Sequence, residues 1–295
     1  MNILTFDIEE WYIEKAFWGA RPNKYKQFDD YFEMLLDQLD ALNIKATMFC
    51  VGRLAIDFPG VIKKIVERGH EVGCHSNTHT WLNKMSEKEL FEDTNEALKA
   101  LQDVSGQRVS CYRAPAFSIT QNNKWAIPVL ADCGIENDAS IYPTNRELGG
   151  YKDFPQDTPC ILNYQGATLK EYPVGLVSLL GKRMAYSGGG YFRLLPYWMV
   201  SKMIKNRNYN ICYFHLVDII KEEIKLLSKE EFENYFKEPG TLKNRLVRYA
   251  KSSIGTSDGY GKIVKLLSNH PFVSINGASN QIEWNTVLKV NLQTI

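Results

Sequence analysis

Apolar residues along this chain alternate between two periods. Ile3-Leu-Thr-Phe-Asp7 is short and almost wholly apolar, as a strand buried on both faces is. Phe32, Leu35, Leu36, Leu39 and Leu42 then repeat at helical spacing, with Asp29 or Asp30 placed to cap that helix. Ala46-Thr-Met-Phe-Cys-Val51 is β-branched and aromatic and reads as a strand. Pro59 suits a first helical position, Val61, Ile62, Ile65 and Val66 follow, and Gly69 is placed to end the helix. His70 to Cys74 is a strand candidate, and Ser86-Glu-Lys-Glu89 is a capping box opening a helix that carries Leu90, Ala97, Leu98 and Leu101.

The alternation continues. Val109 to Arg113 reads as a strand, Trp125 to Cys133 as a helix stopped by Gly134, and Ile135 to Asp138 as a strand. Strand–helix–strand repetition with short connections predicts parallel strands and crossover helices. The expectation is an α/β fold with a barrel, an open doubly wound sheet being the alternative. Residues 144–192, rich in Gly, Pro, Tyr and Asn, break the pattern and predict short strands or an active-site insertion. Helix pattern returns at Pro196 to Lys205, Asn210 to His215 is a strand, and a basic helical stretch runs from Leu242 to Leu267. One domain over 1–295 is expected, with an irregular insertion at about 144–192 and a helical C-terminal extension at about 220–295.

Composition narrows the function. With 35 Lys+Arg against 34 Asp+Glu over 295 residues, the chain carries a formal charge of +1, which argues against nucleic acid as a partner. No apolar run reaches the length of a membrane span, and the N-terminus lacks the features of a secretory signal, so a cytoplasmic location is expected. The six cysteines form no CxxC pair and sit in apolar stretches, as buried free thiols do.

The candidate chemistry lies at strand ends. His75-Ser-Asn-Thr-His79 follows a strand, and residues four apart share one side of a helical turn, so both imidazoles could reach one metal. Asp7-Ile-Glu-Glu-Trp11 puts three acids at the end of an apolar strand, with Asp7 and Glu9 on one face and Glu10 on the other. Buried carboxylates need a cation or an arginine, and Arg113, closing another strand, is the candidate arginine. His215 ends the strand that begins at Asn210, and Asp138 could orient and charge it. In a barrel all of these would gather on one face. Trp11, Tyr12, Trp18, Tyr142 and Tyr191 are aromatic candidates for groove walls. His70 reads as structural and His270 as a surface residue.

With these segments in place, the chain resembles the polysaccharide deacetylases of the NodB-homology type, carbohydrate esterase family 4. Five ordered segments carry the likeness: Thr5-Phe-Asp-Ile-Glu9, His75-Ser-Asn-Thr-His79, Arg113-Ala-Pro115, Asp138-Ala-Ser-Ile-Tyr-Pro143 and Tyr213-Phe-His215. Asp7-Ile-Glu-Glu-Trp-Tyr12, Arg113-Ala-Pro-Ala-Phe-Ser118 and Gly188-Gly-Gly-Tyr-Phe-Arg193 look most like the branch found with exopolysaccharide and surface-glycan genes. The resemblance implies a distorted (β/α) barrel of seven or eight strands. It implies one divalent metal, zinc first and cobalt, nickel, iron or manganese otherwise, held by Glu9, His75 and His79, with Glu10 as the alternative carboxylate.

Asp7 would be the general base toward water and Arg113 would hold it ionised. His215, oriented by Asp138, would protonate the departing amine, and a backbone N–H near Ala116 would stabilise the oxyanion. Pro115, Ala116 and Phe117 would join Trp11, Tyr142 and Tyr191 in contacting substrate. The implied activity is removal of N-acetyl groups from an amino sugar of a surface glycan or its precursor. Two other readings remain: an amidohydrolase of a non-sugar amide or cyclic ureide, and a non-catalytic carbohydrate-binding relative. The sequence departs from the family pattern where Asp7-Ile8-Glu9 replaces adjacent aspartates, where Ala116 and Phe117 follow the proline, and where the fourth segment lacks its frequent tryptophan.

Overall fold

The first strand, β1 (Asn2–Ile8), is buried along all but its first residue because other elements cover both of its faces. In the computed structural model, which describes residues 1–146, 149–179, 181–220, 225–236, 238–253 and 259–295, it lies near one end of a nine-stranded sheet. The other strands are β2 (Thr47–Cys50), β3 (Glu71–Cys74), β4 (Cys111–Tyr112), β5 (Asn137–Asp138), β6 (Cys160–Tyr164), β7 (Ala167–Glu171), β8 (Leu176–Leu179), β9 (Lys182–Ala185), β10 (Asn210–His215) and β11 (Leu288–Asn291). The sheet order is β10-β1-β2-β3-β4-β5-β7-β6-β11, and β8 and β9 form a separate hairpin.

From β10 across to β7 every neighbouring pair runs parallel. The fold is α/β with a parallel-dominated sheet, as the alternation implies. The sheet does not close into a complete barrel, since β10 and β11 stand at its two ends. The stretch predicted to be irregular is partly built into this sheet. β6 and β7 form an antiparallel hairpin around Gln165 and Gly166, both at positive φ (50° and 88°), and β7 pairs with β5.

Helices follow the sequence signals closely where a cap is present. Ser86 accepts from Glu89 N–H in the predicted capping box, and Gly69 and Gly134 adopt the left-handed conformation at helix ends. The helix predicted from Asp29 begins earlier, at Pro22, and runs to Ala41. Proline at its first position sets φ for the opening turn, and the polar residues that follow hid this turn from the apolar pattern.

The two faces of β1 have different tasks. Leu4, Phe6 and Ile8 join Met48, Cys50, Phe32, Leu35 and Leu39 in the main core beneath the helices. On the opposite face Ile3 packs with Phe49, Cys111, Ile211 and Ile275, and the same face then turns polar at Thr5 and Asp7. The helix Ile275–Ser279 and Val273, which bridges Ile3, cover the amino end of the sheet, leaving the carboxyl ends for chemistry. Among the described residues no helix is long and apolar enough to cross a membrane. His270, read as a surface residue, is buried, with Nε2 3.0 Å from Ser201 Oγ.

His70 is structural, as read: its buried Nδ1 accepts the Ala46 N–H at 3.2 Å. Burial, aided by the Lys45 charge, lowers its pKa from 6.5 to about 4. The unfolded chain therefore takes up a proton below pH 6.5 that the folded chain refuses until about pH 4. Unfolding free energy should fall across that window by about 3 kcal/mol from this group. His70→Gln should flatten the decline measured by urea unfolding; equal slopes for the two proteins would disprove the assignment.

Candidate active site

The site follows from the register of parallel strands. Ile8 pairs with Cys50, Cys50 with Cys74, Cys74 with Tyr112 and Tyr112 with Asp138. One residue beyond this row stand Glu9, His75 and Arg113, so three strand ends deliver chemistry at one level. The ladder continues through them: His75 N–H donates to Cys50 O and Arg113 N–H to Cys74 O, both at 2.9 Å. On the other side of β1, Asp7 pairs directly with His215 of β10.

Asp7 is buried and bound by Arg113, whose Nη1 donates to Asp7 Oδ1 at 2.7 Å and to Thr5 Oγ1 at 2.9 Å. The guanidinium also lies 4.3 Å from the centre of the Phe49 ring and donates from Nε to Ala139 O. Burial alone would raise the Asp7 pKa, but Arg113, then His75 and His215, hold it below the ordinary carboxylate value.

Glu9, His75 and His79 converge, their donor atoms all within 4.8 Å of one another. His79 Nε2 is 2.6 Å and His75 Nε2 3.5 Å from Glu9 Oε2. Ligands of a tetrahedral zinc at about 2.0–2.1 Å stand about 3.4 Å apart, so a small opening of the shorter distance accommodates an ion. His75 Nδ1 lies 2.7 Å from the carbonyl oxygen of Arg113, which as an acceptor requires the proton on that nitrogen. Nε2 of a neutral ring then turns a lone pair toward a carboxylate, and Glu9 Oε2 is buried without an aligned donor. Acceptor facing acceptor suits a cation. These residues therefore fit a divalent metal.

The paired histidines meet by a route other than the helical turn their spacing suggests. The 75–79 segment is a loop in which Ser76 and His79 take positive φ (64° and 56°). Its backbone is pinned by Ser76 O to Gly52 N–H, Asn77 O to Arg53 N–H and Asn77 N–H to Asp93 Oδ2. Glu10, the alternative ligand, points elsewhere. It accepts the Val217 N–H at 3.0 Å, and burial with the neighbouring Glu9 charge raises its pKa to about 7.

His215 is the accessible member, with 31% of its side chain exposed. Its Nε2 stands 3.8 Å from both Asp7 Oδ2 and Glu9 Oε1. Burial disfavours its charge, but Asp218, Glu9 and Asp7 overcome that and raise its pKa to about 10. The orienting role expected of Asp138 is not supported by the geometry. Asp138 ends β5, where it accepts from Ser140 Oγ and lies beside Glu171. The carboxylate against His215 is Asp218, 3.5 Å from Nδ1. The spacing His215-x-x-Asp218 was the available signal for it.

Burial lifts Asp138 to about 6 and Glu171 well above the ordinary range, so the pair holds a proton between them. Asp138 braces the turn after Arg113 through Ser140, whose Oγ accepts the Ala114 N–H, and Glu171 Oε1 accepts the Ile141 N–H after β5. In that turn Ala116 and Phe117 take φ of 56° and 54°. Gly149 packs onto it so closely that a Cβ would lie 2.6 Å from Ala116 O.

Four of the expected substrate contacts are closed to solvent. Trp11 starts a helix instead of extending the strand, so its indole turns inward against Phe28 and Phe32 and donates to Asp29. Pro115 is buried, and Phe117 and Tyr142 pack on each other beneath Arg146. Only Ala116 and Tyr191 of that set keep accessible surface. Tyr12 and Trp18 are half-buried, Trp18 against Tyr235.

Residues 3–137 match the polysaccharide deacetylase family. That N-terminal region belongs to the family. Residues 139–278 match a domain of unknown function, DUF3473. The chain is 38% identical over 87 residues to a peptidoglycan-N-acetylglucosamine deacetylase of Listeria monocytogenes, covering 30% of this chain and 19% of that protein. It is 33% identical over 105 residues to a Bacillus cereus protein of the same description, covering 34% and 38%. The matches thus span less than two fifths of either relative's length. A crystal structure from Mycobacterium smegmatis, described as a polysaccharide deacetylase, shares the fold at a TM-score of 0.61 and 18% identity, over 97% of this chain and 91% of that one. Asp7, Glu9, His75, His79 and Arg113 lie in the first matched region, and Asp138, Arg193, His215 and Asp218 outside it.

The Arg113–Asp7 pair has a testable energetic signature. Arg113→Met should destabilise the protein by about 3–5 kcal/mol in urea unfolding, because it strands a buried carboxylate. Adding Asp7→Asn should recover part of that loss. A double variant as unstable as the sum of the single ones would show that the two side chains are not coupled.

Proposed function

We propose that this protein is a metal-dependent hydrolase that removes N-acetyl groups from an amino sugar, of the N-acetylglucosamine type, in a surface glycan or its precursor. One observation carries the reading: Asp7 and His215, register partners on adjacent strands, flank the Glu9, His75 and His79 cluster. The names of the bacterial relatives support the same substrate class.

An amide has a poor leaving group, so its hydrolysis needs a base on the water side and an acid on the nitrogen side. Asp7, kept ionised by Arg113, is the base that takes a proton from the attacking water. His215, set between Asp218 and Asp7 and partly exposed to solvent, is the acid that gives a proton to the departing amine. A backbone N–H of the turn at the left-handed Ala116 is the donor assigned to the developing oxyanion, worth about 3–4 kcal/mol when well placed. Zinc, or a related divalent ion, held by Glu9, His75 and His79 would supply Lewis acidity toward the carbonyl and toward water.

Acetate release from N-acetylglucosamine oligomers, with zinc or cobalt added, tests the reading. Release should stop on chelation and return with metal; no release from any N-acetylated sugar by the metal-loaded protein would refute it. Asp7→Asn should lower turnover by about 100-fold or more with metal content retained, whereas His75→Ala should lose both. Near-normal turnover in Asp7→Asn would remove Asp7 as the base.

A further inference from the structure

We propose that Asp218, clamped by Arg193, is the positioning residue that aims His215 at the reaction centre, and that the Gly188-Gly-Gly-Tyr-Phe-Arg193 segment exists to hold this clamp. The proposal rests on the hydrolase reading above for its kinetic consequence, but not for its geometry. All of these residues lie in the region that matches a domain of unknown function, so the clamp gives that region a task.

An imidazole at the end of a strand can rotate about its ring torsion and exchange its two nitrogens. Here the Nε2 side faces Asp7 and Glu9, and the Nδ1 side faces Asp218 Oδ2 at 3.5 Å. Asp218 is itself immobilised. Its Oδ2 accepts the His215 backbone N–H at 2.9 Å, and its Oδ1 takes Arg193 Nη1. Both partners are buried, with side chains only 4% and 9% exposed. A buried carboxylate with a guanidinium on one oxygen and an imidazole by the other fixes the ring in one orientation.

The glycines explain how Arg193 arrives there. Residue 188 bridges Tyr213 of β10, and a Cβ on it would collide with the tyrosine ring. A Cβ on Gly189 would stand 3.3 Å from Asp218 Oδ2. Small residues thus let the helix Gly189–Leu194 approach β10 closely enough for Arg193 to reach Asp218. Lys262 anchors the far end of the same helix by donating to the Phe192, Arg193 and Leu195 carbonyls. The run singled out in the sequence as branch-like thus becomes a support for the proton donor.

The test uses the full chain loaded with zinc and an N-acetylglucosamine oligomer. Asp218→Asn, nearly isosteric, should lower kcat at least about tenfold while KM and metal content stay within about twofold. Arg193→Gln should act in the same direction but less, and the double variant should be no slower than Asp218→Asn alone. A purely structural role would instead lower metal content and thermal stability together with kcat. A kcat within about threefold of the unaltered protein in folded Asp218→Asn would overturn the proposal.

A second readout needs no turnover. The ring-nitrogen NMR signals of His215, assigned by their loss in His215→Gln, should shift in Asp218→Asn, and those of His270 should not. Unchanged His215 signals would overturn the clamp even in an active enzyme, and shifted signals without acetate release would fault the hydrolase reading alone. If Asp218→Asn does not fold, Arg193→Gln carries both measurements.

Discussion

Every group of the site hangs from hydrogen-bond ladders between parallel strands. The pairing of Asp7 with His215, and the row running from Ile8 to Asp138, fix the height of each strand end to within a residue. A slip of one residue would move Asp7 and Thr5 off the interior face and put Phe6 there. The apolar residues that set the register, Leu4, Phe6 and Met48 under the helices and Ile3 and Phe49 on the other face, thus determine the catalytic geometry. Stability and chemistry share one constraint here, which is why the acid, histidine and arginine of the site stand at the carboxyl ends of the strands.

The second constraint is charge. The carboxyls of Asp7, Glu9, Glu10, Asp138, Glu171 and Asp218 all lie in this end of the fold, and the protein deals with them in three ways. Asp7 and Asp218 each receive an arginine. Glu10, Asp138 and Glu171 are pushed upward by burial, so they take up protons more readily and serve as hydrogen-bonding braces. Glu9 is left facing two imidazoles, where an arginine would block the ring nitrogens and a proton would spoil the donor set. A cation answers that arrangement better than either.

Much of this was legible in the sequence because strand ends and caps are local. The alternation of periods fixed the parallel α/β character, and the ends of β1, β3, β4 and β10 were where acids and histidines interrupted apolar runs. What was not legible depended on neighbours distant in the chain. Asp138 ends a strand just as the other site residues do, but it is engaged by Ser140 and Glu171, and the carboxylate found against His215 is Asp218. Trp11 looked like a groove wall because strand alternation was extended past Ile8; a helix starting at Glu10 rotates it into the core. The HxxxH spacing suggested a helical turn, whereas two left-handed residues make the loop that joins the rings. The barrel itself depends on whether the outer strands meet, and the β6–β7 hairpin with β11 ends the sheet instead.

The division between the two matched regions is informative for the same reason. The first supplies Asp7, its arginine and the Glu9, His75 and His79 cluster, all from β1, β3 and β4 and the loops after them. The second supplies the accessible imidazole by laying β10 along β1, with His215 in register with Asp7. The helix Gly189–Leu194 packs against β10, with Phe192 edge-on to Phe214 at 5.0 Å and Arg193 bound to Asp218. The packing that stabilises the edge strand and the ion pair that fixes the imidazole come from adjacent residues of one short helix. Loosening that helix would therefore disturb His215 before it disturbed Asp7, because Asp7 is tied to Arg113 from the opposite side of β1.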